Sequence, residues 1–249
     1  MRDRDTGHDL PLHCLLDSTQ IGAKKSAAFD LQAACAGFIY GIETGRNFIA
    51  SGAYRHVLVI GADKLTSLVD WTDRNTCVLF GDGAAAIVLG PAPEGKRGIL
   101  RTTLAADGGF HEILNIPGGG CKLPVSQELV DTRQHYIKMN GKETFKQAVT
   151  SMCQAAVETL EKTGVKPEDL ALVIPHQANN RIIEAVAQRL KVGDDRLMVN
   201  VHKYGNTSAA SIGIALHEAV TEGRLKKGDL ALMVAFGGGL TWGCTIVEW

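Results

Sequence analysis

The chain is poor in most of the features that make a function quick to read. Its six cysteines, at 14, 35, 77, 121, 153 and 244, include no Cys-x-x-Cys pair, so neither a zinc site nor a disulfide framework is expected. Most should be reduced, buried small hydrophobes. Neither charge is in excess: 26 Lys and Arg oppose 27 Asp and Glu, a formal net charge of −1. That excludes the basic footprint of a nucleic-acid binder. The longest apolar stretch, residues 230–240, holds three glycines and is too short to span a bilayer. The charged opening, residues 1–9, lacks the apolar core of a signal peptide. The expectation is a cytoplasmic protein with no membrane or nucleic-acid partner. Aromatic residues make up only 6%. What is present is 45% hydrophobic residues and 28 glycines in a chain of 249. This excludes disorder and suffices for one large domain or two modest ones.

Helical patterns alternate with short apolar runs, the mark of an α/β protein. Strands are predicted at 27–31, 56–62, 84–89, 99–104, 170–174, 197–201, 230–236 and 244–249, and helices at about 12–21, 36–51, 141–162, 180–190 and 208–222. A Gly- and Pro-containing excursion occupies 107–124. The five elements from 12 to 89 repeat, in order, the last five of the second part. The spacing agrees: Cys35 lies 22 residues before Val57, and Asn206 lies 24 before Leu230. A duplicated α/β domain follows, with halves at 1–97 and 98–249. The first copy lacks an opening β-α-β.

Three polar residues stand where a strand hands over to a helix, the place where open α/β sheets put ligands. Cys35, in FDLQAACAGF, opens a helix whose free N–H groups favour a thiolate, and Ala33, Ala34, Ala36 and Gly37 leave room for substrate. Local sequence alone favours a buried packing cysteine. His176, in LVIPHQANNRI, and Asn206, in VNVHKYGNTSAAS, read singly as a turn residue and a helix N-cap. Together they form a constellation. The run from Phe236, FGGGLTWG, lacks the Gly-Lys-Ser/Thr of a phosphate loop. It suits an oxyanion site made of backbone N–H groups, and equally a glycine-rich hairpin.

The stretches FDLQAACAGFIYG, WTDRNT, FGDGAAAIVLG, MNGKETFK, PHQANNRI, YGNTSAAS and AFGGGLTWG together resemble the thiolase-fold condensing enzymes, most closely the β-ketoacyl-acyl-carrier-protein synthase III family. The resemblance runs from about Leu12 onward. It implies mixed five-stranded sheets in a thiolase-like pair of halves. It implies acyltransferase chemistry that initiates fatty acid synthesis: Cys35 is acylated by an acyl-CoA primer such as acetyl-CoA, with Cys35 and Gly238 N–H groups as the oxyanion hole. His176 and Asn206 then support decarboxylative condensation with malonyl-acyl carrier protein. Leu65, Phe80 and Phe236 match the acyl pocket, though plain core suits them too. Arg74, Gly141, Phe145, Ala178 and Asn179 match CoA-binding positions, and Lys146 and Arg181 the carrier-protein docking surface. No cofactor and no metal are implied, acyl-CoA being a substrate, and a homodimer is implied if the N-terminal half is complete.

Two departures stand out. Lys142 occupies a position where related sequences have Asn. Family members also carry about another quarter of chain ahead of the matching region, including two strands and an aromatic that stacks on the CoA adenine. Two other thiolase-fold activities, a polyketide starter and an ester-forming acyltransferase, share the Cys-His-Asn set. A papain-type hydrolase would need Asn206 to orient His176, and an inactive fragment is the reading that is not an enzyme.

Overall fold

The computed structural model describes residues 18–249. The chain divides into two units, Met1–Gln32 and Ala33–Trp249. In the first, residues 18–20 are helical; the rest of the helix expected from residue 12, and Cys14, lie outside the described residues apart from residue 21, which is in a turn. The strand expected at 27–31 does not form. A strand needs a hydrogen-bonded neighbour, and no described segment pairs with it.

In the second unit a 3₁₀ turn at Ala34–Ala36 runs directly into helix α1, Gly37–Ala50. Strands β1, Val57–Lys64, and β2, Asp82–Leu89, form an antiparallel pair with Val57 opposite Leu89. Then come β3, Ile99–Ala106, and the two-residue strands β4, Leu114–Asn115, and β5, Lys138–Met139, which pair around the short helix α2, Gln127–Asp131. Helix α3, Gly141–Thr163, leads to β6, Leu172–Pro175, and α4, Asn180–Leu190. The chain closes with α5, Val201–Tyr204, α6, Ala210–Thr221, β7, Leu230–Gly237, and β8, Thr241–Glu248. The main sheet runs β3-β8-β7-β6; β6 and β7 are parallel and the other pairs antiparallel.

Local chemistry sets the helix bounds. Asn140 caps α3 by accepting the Glu143 N–H, and Gly164 ends it at φ 68°, a left-handed conformation that costs glycine little. Asn179 caps α4 by accepting the Ile182 N–H. The period-2 alternation of a strand then divides β7 between two cores. Leu232, Val234 and Phe236 pack with α3 and α4, while Ala231, Met233 and Ala235 pack with α1 and α6. Helices α1 and α6 in turn pack on β1 and β2. The far side of β1–β2 leaves Leu58, Ile60 and Val88 exposed.

Two expectations about the sheets need correction. Among the described residues the five-stranded count becomes four strands in the main sheet and two in each of the pairs β1–β2 and β4–β5. The strand expected at 197–201 reduces to a single parallel bridge between Val173 and Leu197. The reason lies in Gln177, whose side-chain oxygen accepts the Asn200 and Val201 N–H groups at 2.8 and 3.1 Å. Those donors leave the ladder, and the chain turns into α5.

Ile183 is fully buried where α4 meets the main sheet. Ile183→Ala should lower stability by about 2–5 kcal/mol, read as a lower denaturation midpoint with an unchanged denaturant slope.

Candidate active site

Cys35 sits in the 3₁₀ turn that opens α1, buried. The turn is held against the end of β7: the Ala33 carbonyl accepts the Ala36 N–H at 3.1 Å and the Thr241 hydroxyl at 2.7 Å. A Cβ on Gly237 would lie 2.6 Å from the Cys35 nitrogen and 3.1 Å from the Ala33 oxygen. Both are backbone atoms, so only glycine lets β7 approach this turn. Ala34 and Ser208 flank the sulfur's surroundings at φ 46° and 52°, values that cost a residue with a Cβ about 1–3 kcal/mol each. The Ser208 hydroxyl donates to Cys35 Sγ at 3.3 Å.

The thiolate expected at the helix start is not the resting form. Burial pushes the Cys35 thiol up to about 11, the Ser208 hydrogen bond opposes this, and the Asp63 charge adds to it. Desolvation outweighs the helix terminus.

His176 follows β6 and is 2% exposed. Its backbone N–H donates to the Val234 carbonyl at 2.7 Å, and its Nδ1 lies 2.6 Å from the Ser211 hydroxyl. Burial lowers its pKa to about 4, so the ring is neutral near pH 7. Asn206, 7% exposed, is gripped through its backbone by Leu79 and Gly81 at 2.8 and 2.9 Å. Its Oδ1 accepts the Ser208 N–H at 2.9 Å, which turns the amide nitrogen outward as a donor. Since Ser211, not Asn206, partners the His176 ring, the papain-type arrangement is not the one that forms.

Cys35, His176, Asn206, Phe80, Phe236, Gly141, Phe145, Ala178, Asn179 and Arg181 all line one cavity of about 910 Å³. Four predicted residues lie off its wall. Leu65 is one layer back, in a cluster on which the lining residues Phe80 and Leu114 pack. Arg74 is exposed on the loop beside the lining residue Asn75. Gly238 follows Gly237, and a Cβ added to it would lie 3.0 Å from the Leu114 carbonyl oxygen. Lys146 belongs to a neighbouring surface depression with Val149 and Arg189. Sequence reasoning passed over Leu114, Met139 and Met152 on the wall, and the hydroxyls of Ser208 and Ser211 behind it. Both serines lie inside the quoted YGNTSAAS stretch, but nothing in their spacing distinguishes them from helix-start residues.

Layered α/β packing with a cysteine, a histidine and an asparagine on one cavity defines a thiolase-fold condensing enzyme. The family profile for 3-oxoacyl-[acyl-carrier-protein] synthase III matches residues 29–108, and its C-terminal companion matches 160–249. The chain is 51% identical over 229 residues to the β-ketoacyl-[acyl-carrier-protein] synthase III of Roseiflexus sp. (strain RS-1), covering 92% of this chain and 69% of the relative. It is 51% identical over 236 residues to that of Aquifex aeolicus, covering 95% and 71%. The solved A. aeolicus structure superposes with a TM-score of 0.86 at 50% identity, over 95% of this chain and 71% of that one. The priming β-ketosynthase of a polyketide pathway gives 0.85 at 35%, over 96% and 70%. This chain belongs to the β-ketoacyl-[acyl-carrier-protein] synthase III family. Among the described residues no helix is long and apolar enough to cross a membrane.

The lowered pKa of His176 has a consequence for stability. An unfolded histidine protonates near 6.5 and the folded one near 4. Between those values the unfolded state binds more protons, so stability falls as pH falls. The loss should total roughly 3 kcal/mol. Denaturation curves from pH 7 to pH 4 should show it, with a flatter profile for His176→Asn.

Proposed function

We propose that this chain condenses an acyl-CoA primer, acetyl-CoA being the simplest, with malonyl-acyl carrier protein through an acyl-Cys35 intermediate. The observation that carries this reading is the convergence of Cys35, His176 and Asn206 on one cavity, a thiol together with two neutral hydrogen-bond donors. The other thiolase-fold acyltransferases share the first half of this chemistry, and the malonyl step separates them.

In the first half-reaction Cys35 Sγ bonds to the thioester carbonyl carbon and the bond to the CoA sulfur breaks. The thiol proton leaves with CoA. The Ser208 hydroxyl, donating to Sγ, stabilises the negative charge that builds on sulfur before transfer. The N–H groups of Cys35 and Gly238 are proposed to meet the oxyanion. The absence of a Cβ on Gly237 keeps β7 against the Cys35 turn and so supports that placement.

In the second, the malonyl carboxylate leaves as CO₂ and its bonding pair enters the thioester as an enolate. Nε2–H of His176 and the Asn206 amide donate to the enolate oxygen. Neither carries a charge at neutral pH, so neither pairs with the malonyl carboxylate, and both are held in place before charge develops. The enolate carbon then bonds to the acyl carbon, the bond to Sγ breaks, and the Cys35 thiolate takes up one proton from solvent. Side chains, backbone donors and substrates complete both halves.

Phe80 and Phe236, backed by Leu65, form the proposed acyl end of the cavity. Gly141, Phe145, Ala178 and Asn179 are proposed to flank the pantetheine arm, with Arg74 near the nucleotide. Arg181 and Lys146 would meet the acidic carrier protein, setting encounter rate more than affinity. Assembly as a homodimer and cytoplasmic location belong to the same reading.

His176→Ala and Asn206→Ala should each retain acyl transfer to Cys35 while CO₂ release from malonyl-carrier protein falls about 10²–10³-fold. Labelled-acetyl retention and CO₂ release, measured on the same preparations, check the two halves separately. Equal loss of both would sink the assignment of these residues to the second half.

A further inference from the structure

The imidazole of His176 has two faces, and the mechanism uses only one of them. The other meets Ser211, a 2% exposed residue in the first turn of α6. Its hydroxyl has two contacts among the described residues: His176 Nδ1 at 2.6 Å and the Gln177 backbone N–H, which donates to it at 3.4 Å. A hydroxyl has one proton to give. The Gln177 contact uses an acceptor site on Oγ, so it leaves that proton still to be placed. Serine in a first helical turn commonly turns back to a nearby carbonyl, yet among the described residues this one makes no hydrogen bond to a carbonyl. Among the described residues the one acceptor available to the Ser211 hydroxyl is His176 Nδ1.

We propose that Ser211 is a positioning residue for the condensation, its hydroxyl donating to His176 Nδ1 and so fixing the ring proton on Nε2, the face turned to the substrate cavity. In the opposite tautomer Nδ1–H would donate to Oγ, which would leave the hydroxyl proton without an acceptor among the described residues and present an Nε2 lone pair to the thioester oxygen. A lone pair facing the developing enolate oxygen would repel it. Ser211 therefore selects the one neutral form of histidine that can donate there. The proposal rests on the reading that His176 faces that oxygen, and it adds the group that makes His176 a donor.

Gln177 makes the arrangement rigid. Its side chain donates to the Pro175 and Met198 carbonyls at 2.8 and 3.1 Å and accepts the Asn200 and Val201 N–H groups. The strand exit carrying His176 is thus tied to the neighbouring chain, and the helix carrying Ser211 begins soon after. The ring and the hydroxyl are held at fixed separation from both sides.

The test is ¹⁵N NMR of the imidazole in the intact protein, with His176→Ala used to assign its signals. The expected spectrum shows a neutral ring protonated on Nε2, with Nδ1 as a hydrogen-bonded acceptor. A ring protonated on Nδ1 overturns the proposal, whatever the variants do. Ser211→Ala should lose this single-tautomer signature. Its CO₂ release from malonyl-carrier protein should fall ~10-fold while acyl transfer to Cys35 changes less than about twofold. Ser211→Thr, which keeps the hydroxyl, should restore most of the loss. A Ser211→Ala protein that keeps the Nε2–H signature and full CO₂ release also overturns it. If His176→Ala itself releases CO₂ at the wild-type rate, the reading that His176 faces the thioester fails, and the functional part of this inference falls with it.

Discussion

The site depends on one close approach, that of the C-terminal end of β7 to the turn carrying Cys35. Gly237 has backbone where any other residue would need space for a Cβ, 2.6 Å from the Cys35 nitrogen. Because β7 is the inner strand between β6 and β8, its position is fixed by hydrogen bonds on both sides. Cys35, the proposed nucleophile, inherits that position. Phe236, one residue earlier, lines the cavity, so the same strand end positions both the Cys35 turn and part of the cavity wall.

Of the four described non-glycine residues with positive φ, Arg133 and Lys191 lie elsewhere, while Ala34 precedes Cys35 and Ser208 hydrogen-bonds to its sulfur. Burial then keeps all three groups uncharged at rest: the thiol is raised and the imidazole lowered by desolvation, and the amide has no charge to lose. Under the proposed mechanism, charge appears on these three groups only as the reaction creates it, and the donors then act in surroundings that screen little.

Much of this was legible from the sequence, for reasons that differ by element. The bounds of α4 were readable to the residue because Asn179 and the apolar spacing after it are local signals. His176 was readable because it follows β6 directly, whereas Cys35 and Asn206 were placed by the same rule although the strands expected before them do not form. The strand at 197–201 was misread because its donors are diverted by Gln177, a tertiary contact that no local pattern encodes. The strand at 27–31 needs a ladder partner that the described chain does not supply. The thiolate expected for Cys35 failed because helix position is visible in sequence and depth of burial is not. Leu114, from the irregular excursion, reached the cavity wall with no periodic signal to announce it.

The central claim is that one cysteine carries the acyl group between two substrates. Purified protein incubated with labelled acetyl-CoA, then digested and analysed by peptide mass spectrometry, tests it directly. The acetyl group should appear on the peptide containing Cys35, and malonyl-acyl carrier protein should remove it with one CO₂ released per acetyl transferred. Label on any other residue, or an acetyl-Cys35 that malonyl-acyl carrier protein leaves in place, would contradict the account.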